Sequence, residues 1–186
     1  MLEALKVGLA EKASPERVVE DLRALGIAGD DSRLMVTARR LSAFVISTPD
    51  RIRALIGMTT HPQHGRAIAF GLAQVLQYAL DENDLVSEAS CGAVGFLDDA
   101  YLVHRFLLDV CQAYPAVREL ASGANDEDTQ ALVGRILPAG VAAALDRTSE
   151  RLVLVGASLF AVASAAGPLP PSEATVPAFR LEGLLG

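Results

Sequence analysis

The chain has 186 residues, a length that fits one domain of ordinary size with a real hydrophobic core. Its residues are 51% hydrophobic, with no tryptophan and few aromatic side chains, which favours close-packed helices over a β-sandwich. The formal net charge of −7 at pH 7 argues against nucleic-acid binding, because phosphates are bound by basic surfaces. We therefore expect a single all-α bundle of about seven to nine helices, with no sheet.

The domain organisation expected from the sequence is simple. Residues 1–167 should form the helical domain, and residues 168–186 a proline-rich linker with a short tail. The N-terminal segment mixes charges and lacks the basic start and apolar core of a signal peptide, which predicts a cytoplasmic protein. Cys91 and Cys111 stand far apart without metal-ligand spacing, and we expect both to be free thiols.

Charge is distributed unevenly along the chain. Between residues 33 and 66 there are six arginines and one acid, whereas residues 67–134 contain eleven acids and two arginines. The two regions could attract each other within the fold, between subunits or toward a partner, or they could simply be solvated faces. Four arginines are candidates for an interaction surface: Arg39, Arg40, Arg51 and Arg53.

Two proline steps indicate helix starts in the first third of the chain. At Ser14-Pro15 a capping residue precedes a proline at the first helical position, where its missing N–H costs nothing. Thr48-Pro49 repeats the arrangement and predicts a separate short helix that ends near Gly57. A later helix is expected to start at the acid-rich residues 125–128 and to run toward Leu145, with a disturbance at Pro138 and Gly140.

Three apolar segments are expected to form the centre of the bundle. They are Gly65–Leu80, Asp98–Gln112 and Leu152–Ala166. The first is apolar nearly all round, which is typical of a helix with neighbours on several sides. All three are therefore interpreted as core helices.

The third segment allows a second interpretation. Residues 152–167 carry no charge, but they are fewer than the ~20 residues that a membrane-spanning helix needs. Ala157, Ala161 and Ala165 recur every four positions, a spacing that lets another helix approach closely. The alternative to a core helix is thus an oligomeric or membrane-associated helix. Beyond the linker GPLPPSEATVP, four apolar residues could dock on the body of the protein or on a partner: Phe179, Leu181, Leu184 and Leu185.

Candidate chemistry centres on the stretch GAVGFLDDAYLVHRFLLDV, which begins at Gly92. Asp98 could cap the helix that follows, with Asp99 in its first turn. The functional alternative makes both aspartates ligands of a hard cation or a docking point for the arginines. A cation needs more oxygen donors than two neighbouring carboxylates supply. Asp81, Glu82 and Asp84 are candidates for the others if the fold brings them close. The identity of any metal stays open.

The other polar residues of the sequence do not form a recognisable catalytic motif. Arg105 and Asp109 have the spacing of an ion pair on one helix, and His104 is interpreted as a hydrogen-bonded core histidine or a supporting site residue. His61 and His64 could share a metal, but no third ligand is nearby, so a solvated loop is expected. The sequence contains no GxSxG, P-loop or HExxH motif. We expect no cofactor and lean against an enzyme.

Part of the chain resembles a known family. The segment 75–108, VLQYALDENDLVSEASCGAVGFLDDAYLVHRFLL, is similar to the core motif of the YkvA-like family of unknown function. The matching residues are Asp84, Leu85, Val86, Gly95, Phe96, Asp98, Asp99 and Ala100. The resemblance implies a helical fold and a structured turn at the aspartate pair. It implies no reaction.

The functional hypothesis from the sequence is a non-enzymatic cytoplasmic interaction or scaffold protein. Its partner would be another protein or a second copy of the chain, which makes a homo-oligomer the expected state. One alternative is a metal-dependent binder or enzyme centred on Asp98 and Asp99. Another is a peripheral membrane protein that uses the apolar segment 152–166 or the tail.

Overall fold

The computed structural model describes residues 2–79, 86, 91–121 and 127–165. This part of the chain contains seven α-helices, two 3₁₀ helices and no strand, which confirms the predicted all-α bundle. The α-helices are α1 (Leu2–Lys12), α2 (Pro15–Ala24), α3 (Asp31–Met58), α4 (Gly65–Ala79), α5 (Leu97–Ala113), α6 (Glu127–Ile136) and α7 (Val141–Ala165). The 3₁₀ helices are Gly92–Phe96 and Pro115–Ala121. The tail 168–186 lies outside the described residues.

The first helices begin where side chains can satisfy free backbone N–H groups. The Ser14 hydroxyl accepts from the Arg17 amide at 3.5 Å, and α2 starts at Pro15 as predicted. The Asp30 carboxylate accepts from the Arg33 amide at 2.9 Å and starts α3. Between these helices Gly26 has a φ of +77°, a left-handed conformation that glycine adopts without steric cost.

The prediction of a separate short helix at Thr48-Pro49 is wrong. Helix α3 continues through Pro49 as one helix of 28 residues. An interior proline removes one backbone hydrogen bond and costs about 3 kcal/mol or more. Here Thr48, Pro49 and Ile52 are all buried against neighbouring helices, and the Ser47 hydroxyl donates to the Phe44 carbonyl at 2.8 Å. Tertiary burial on both sides of the proline therefore keeps the helix continuous.

Helix α5 occupies the centre of the fold, and most of its residues are buried. It packs against α3, α4, α6 and α7. The contact with α4 is close: a Cβ added at Gly71 would lie 2.4 Å from the Phe106 ring. Close packing of this kind is possible only because Gly71 has no side chain.

Helix α7 differs from its prediction in two respects. The break at Pro138 and Gly140 is confirmed, but α7 then runs from Val141 to Ala165 without a new start at Leu152. Its described second half, residues 153–161, packs on the core along one side only. Val153 and Gly156 are buried, and a Cβ on Gly156 would lie 2.9 Å from the Ala67 carbonyl oxygen of α4. The opposite side faces solvent, because helices α4 and α5 cover one side only.

Candidate functional site

Asp98 is completely buried, with 0% of its surface exposed. It is not the capping residue, because α5 begins at Leu97 after Phe96, which makes no side-chain cap. The Tyr78 hydroxyl donates to one carboxylate oxygen at 2.9 Å, and the Val86 amide donates to the same oxygen at 3.2 Å. Asp98 therefore ties α4 and the connection after it to the start of α5.

The other members of the predicted acidic cluster are less informative. Asp99 is half-buried in the first turn of α5. Asp84 lies outside the described residues. Within the described part of the chain, no group of three or more His, Cys, Asp and Glu side chains is placed to hold a metal ion.

The turn before the aspartates is held by a residue that the sequence analysis missed. The Asp21 carboxylate of α2 accepts from the Ala93 amide at 2.6 Å. Gly92 makes this approach possible, with a φ of +60° and a missing Cβ that would lie 2.7 Å from either Asp21 oxygen. In the sequence only Gly92 indicated a special turn, because Asp21 lies more than seventy residues before Ala93.

Arg105 forms the predicted pair with Asp109, and the structure adds partners from α7. Its guanidinium contacts both Asp109 oxygens, at 3.0 and 3.1 Å. It also lies 3.6 Å from Asp146 and 3.5 Å from Glu150. The buried Ser149 hydroxyl donates to Asp109 at 2.5 Å. Burial opposes the charged guanidinium, but the hydrogen bond and charge of Asp109 raise the pKa of Arg105.

A tyrosine extends this polar contact between α5 and α7. The Tyr101 hydroxyl donates to Asp146 at 3.0 Å, while the Gln130 amide donates to the Tyr101 carbonyl at 3.3 Å. Burial, followed by the hydrogen bond to Asp146, raises the pKa of Tyr101 to about 12. A phenol with so high a pKa stays protonated at neutral pH and serves as a fixed donor.

His104 is a buried residue of the α3–α5 contact. Its ring stacks on Phe44, with centroids 3.9 Å apart, and its Nε2 lies 3.3 Å from the Ser47 hydroxyl. The predicted site residues therefore do not converge. Asp98 is directed to α4, His104 to α3 and Arg105 to α7, so each serves a different contact of α5.

His61 and His64 lie in a loop whose residues Thr60, Pro62 and Gln63 are exposed, and their rings form a stack. The rings of His61 and His64 lie 5.1 Å apart, and His64 stacks on the buried Tyr114 at 4.5 Å. Burial, and then the charge of His61, lower the pKa of His64. Burial alone raises the pKa of the Tyr114 hydroxyl. The stack holds the α3–α4 loop against the end of α5.

Two of the four candidate arginines, Arg40 and Arg53, contact other residues of the same chain. Arg40 donates to the Thr129 hydroxyl of α6 at 3.1 Å. Arg53 pairs with Asp50 at 2.6 Å and with Glu3 of α1 at 2.7 Å. Arg39 is exposed and Arg51 is half-buried. Arg40 and Arg53 are exposed as well, so these two contribute to the surface while they contact neighbouring helices.

The exposed side of α7 changes character along its length. Arg147 and Arg151 lie in its first half, where the outward side chains are polar. From residue 152 the outward side chains become apolar. We call Leu154, Val155, Ser158, Leu159 and Ala161 the outer face of α7. Leu154 is 67% exposed and Leu159 is 52% exposed.

No helix in the described residues has the length and hydropathy that crossing a membrane requires. Comparison of the chain with family models, with curated proteins and with solved structures finds no match. The resemblance to the YkvA-like family therefore stays a prediction, and the geometry of the chain is the basis for its function.

Proposed function

We propose that this chain is a non-enzymatic cytoplasmic interaction protein that self-associates through the outer face of α7. The observation that carries the proposal is the exposure of Leu154 and Leu159 on a helix without charge from Leu152 onward. Single exposed leucines are ordinary in a soluble protein. Apolar residues that adjoin one another on one helix face are more typical of an interaction site.

The polar candidates support this choice indirectly. Asp98, His104 and Arg105 each make contacts within the fold, and they face three different helices. A catalytic or metal site needs its groups to converge on one point. The outer face of α7 needs no such convergence, because its leucines, Val155 and Ala161 would bind through apolar area.

The expected affinity follows from the exposed area. Complete burial of a leucine side chain contributes about 1.5–3 kcal/mol, so the exposed parts of Leu154 and Leu159 offer roughly 1–2 kcal/mol each. Two copies together then offer about 4–8 kcal/mol. Dissociation constants of 1 mM and 1 μM correspond to about 4 and 8 kcal/mol. Association costs at least about 4 kcal/mol in lost translational and rotational freedom, so we expect a weak dimer at the millimolar end of that range.

The test is sedimentation equilibrium of the full chain across this concentration range. Leu154→Glu together with Leu159→Glu should shift the chain to monomer, because two carboxylates would have to be desolvated. Leu120→Glu is the matched control, since Leu120 is 53% exposed but lies on the second 3₁₀ helix. It should leave the dimer unchanged.

Other outcomes separate the alternatives. A monomer at every concentration contradicts self-association. If that monomer floats with lipid vesicles, the peripheral membrane hypothesis takes its place. A rise in melting temperature with Mg, Ca, Mn or Zn would favour a metal-dependent binder or enzyme at the aspartates.

A further inference from the structure

The outer face of α7 leads directly into the segment 166–186, which lies outside the described residues. This segment consists of a linker with four prolines and a short apolar sequence, PAFRLEGLLG. Its apolar residues are Phe179, Leu181, Leu184 and Leu185. The sequence therefore contains an apolar segment, residues 179–185, that begins 14 residues after the last residue of α7, a helix whose outer face no described residue covers.

The length of the linker suits a return along the helix. From Ala165 back to Leu154 the distance is about 16 Å, at about 1.5 Å per helical residue. The residues 166–178 would span about 20 Å as a flexible coil and about 40 Å as a fully extended proline-rich chain. Both lengths exceed the roughly 16 Å from Ala165 to Leu154, so residues 179–185 could contact the outer face without a rearrangement of the bundle.

A tethered sequence has an advantage over a second copy. A short flexible linker whose length matches the span gives an effective concentration of about millimolar. The outer face is small: from Leu154 to Ala161 it covers about two turns, roughly 11 Å of helix. A pair of such faces falls short of the ~1,200 Å² buried in a stable interface. Self-association through this face alone is therefore weak enough for a tethered competitor to displace.

We propose that the segment 179–185 docks on the outer face of α7 of its own chain and competes with self-association. The proposal rests on the proposed function for the identity of the face. It adds a regulation: a docked tail weakens the dimer of the unchanged chain about tenfold, and release of the tail restores the affinity. Anything that binds the tail would then promote the dimer.

The test compares full-length chains by sedimentation equilibrium. Phe179→Ser together with Leu184→Ser removes apolar area from the tail and keeps its length. We expect this variant to dimerise about tenfold more tightly than the unchanged chain. Leu169→Ser is the control, because Leu169 lies in the linker, and it should leave the dissociation constant unchanged.

A labelled PAFRLEGLLG peptide provides an independent measurement. Titrated onto the Phe179→Ser, Leu184→Ser chain, it should bind saturably and dissociate the dimer. It should lose binding when Leu154 and Leu159 are also changed to glutamate. These effects would support docking on the outer face of α7.

Each opposing outcome has a distinct meaning. An unchanged dissociation constant and no peptide binding would overturn the tail proposal and leave self-association intact. A weaker dimer in the tail variant would also overturn it, because the tail would then contact the second copy. If every chain is monomeric, the proposed function fails. Peptide binding that depends on Leu154 and Leu159 would then still support docking of the tail, and its absence would overturn it.

Discussion

Replacement of Asp98 tests whether the aspartate pair is structural. Asp98→Ala removes the acceptor of the Tyr78 hydroxyl and of the Val86 amide. A hydrogen bond to a charged group contributes about 1.5–3 kcal/mol, so the two together contribute about 3–6 kcal/mol. The substitution also removes a carboxylate whose burial is itself costly, which offsets part of the loss. We expect the free energy of unfolding to fall by about 2–4 kcal/mol.

The expected loss is large enough to measure. In a domain of 150–250 residues, each kcal/mol shifts the melting temperature by about 2–4 °C. Asp98→Ala should therefore lower the melting temperature by roughly 4–16 °C. Asp98→Asn keeps an oxygen that can accept a hydrogen bond, and it should cost less. Tyr78→Phe removes one donor and keeps the hydrogen bond from the Val86 amide, so it should cost less than Asp98→Ala.

The assay is urea unfolding of the four chains, together with the dissociation constant of the dimer at a temperature where all are folded. The reasoning predicts a loss of stability with unchanged self-association, because Asp98 has no exposed surface. The opposite pattern would refute it. An Asp98→Asn chain of unchanged stability that loses a metal or a partner would mean that Asp98 is a binding residue.

Two further predictions concern packing and pH. Gly71→Ala and Gly57→Ala both replace a helical glycine with alanine, but only Gly71→Ala places a Cβ against Phe106. In urea unfolding, Gly71→Ala should therefore be about 1–3 kcal/mol less stable than Gly57→Ala. Equal stabilities would contradict the close contact between Gly71 and Phe106. Because the pKa of His64 is lowered in the folded chain, the unfolded chain takes up a proton at this imidazole first as the pH falls. The contribution of neutral His64 to stability is therefore complete above about pH 6.5 and is lost as the pH falls through the native pKa. Between about pH 8 and about pH 5.5 the unchanged chain should lose more stability to unfolding than His64→Gln does. Equal losses would show that folding does not lower the pKa of His64.

Several features of the fold could be predicted because their causes are local. Ser14 and Pro15 satisfy the start of a helix within one turn, and α2 begins there. The Arg105–Asp109 pair follows from helical spacing alone. Such features need no knowledge of what packs against them, so sequence reasoning places them correctly.

Contacts between residues distant in the sequence could not be predicted, because their causes are not local. Pro49 resembles a helix start, but burial of Thr48 and Ile52 keeps α3 continuous. The Asp21–Ala93 hydrogen bond joins residues that no local pattern relates. The aspartate pair was visible in the sequence, yet its role depends on Tyr78, which lies on another helix.

The sequence by itself determined an all-α chain, because helix caps, apolar periodicity and a lack of strand patterns are properties of neighbouring residues. It also identified a charge-free segment from Leu152, but it could not determine which side of that segment is covered. The tertiary structure decided that Gly156 meets α4 while Leu154 and Leu159 face solvent. The hydropathy of a helix can be calculated from its sequence, whereas the burial of each side depends on which other helices pack against it.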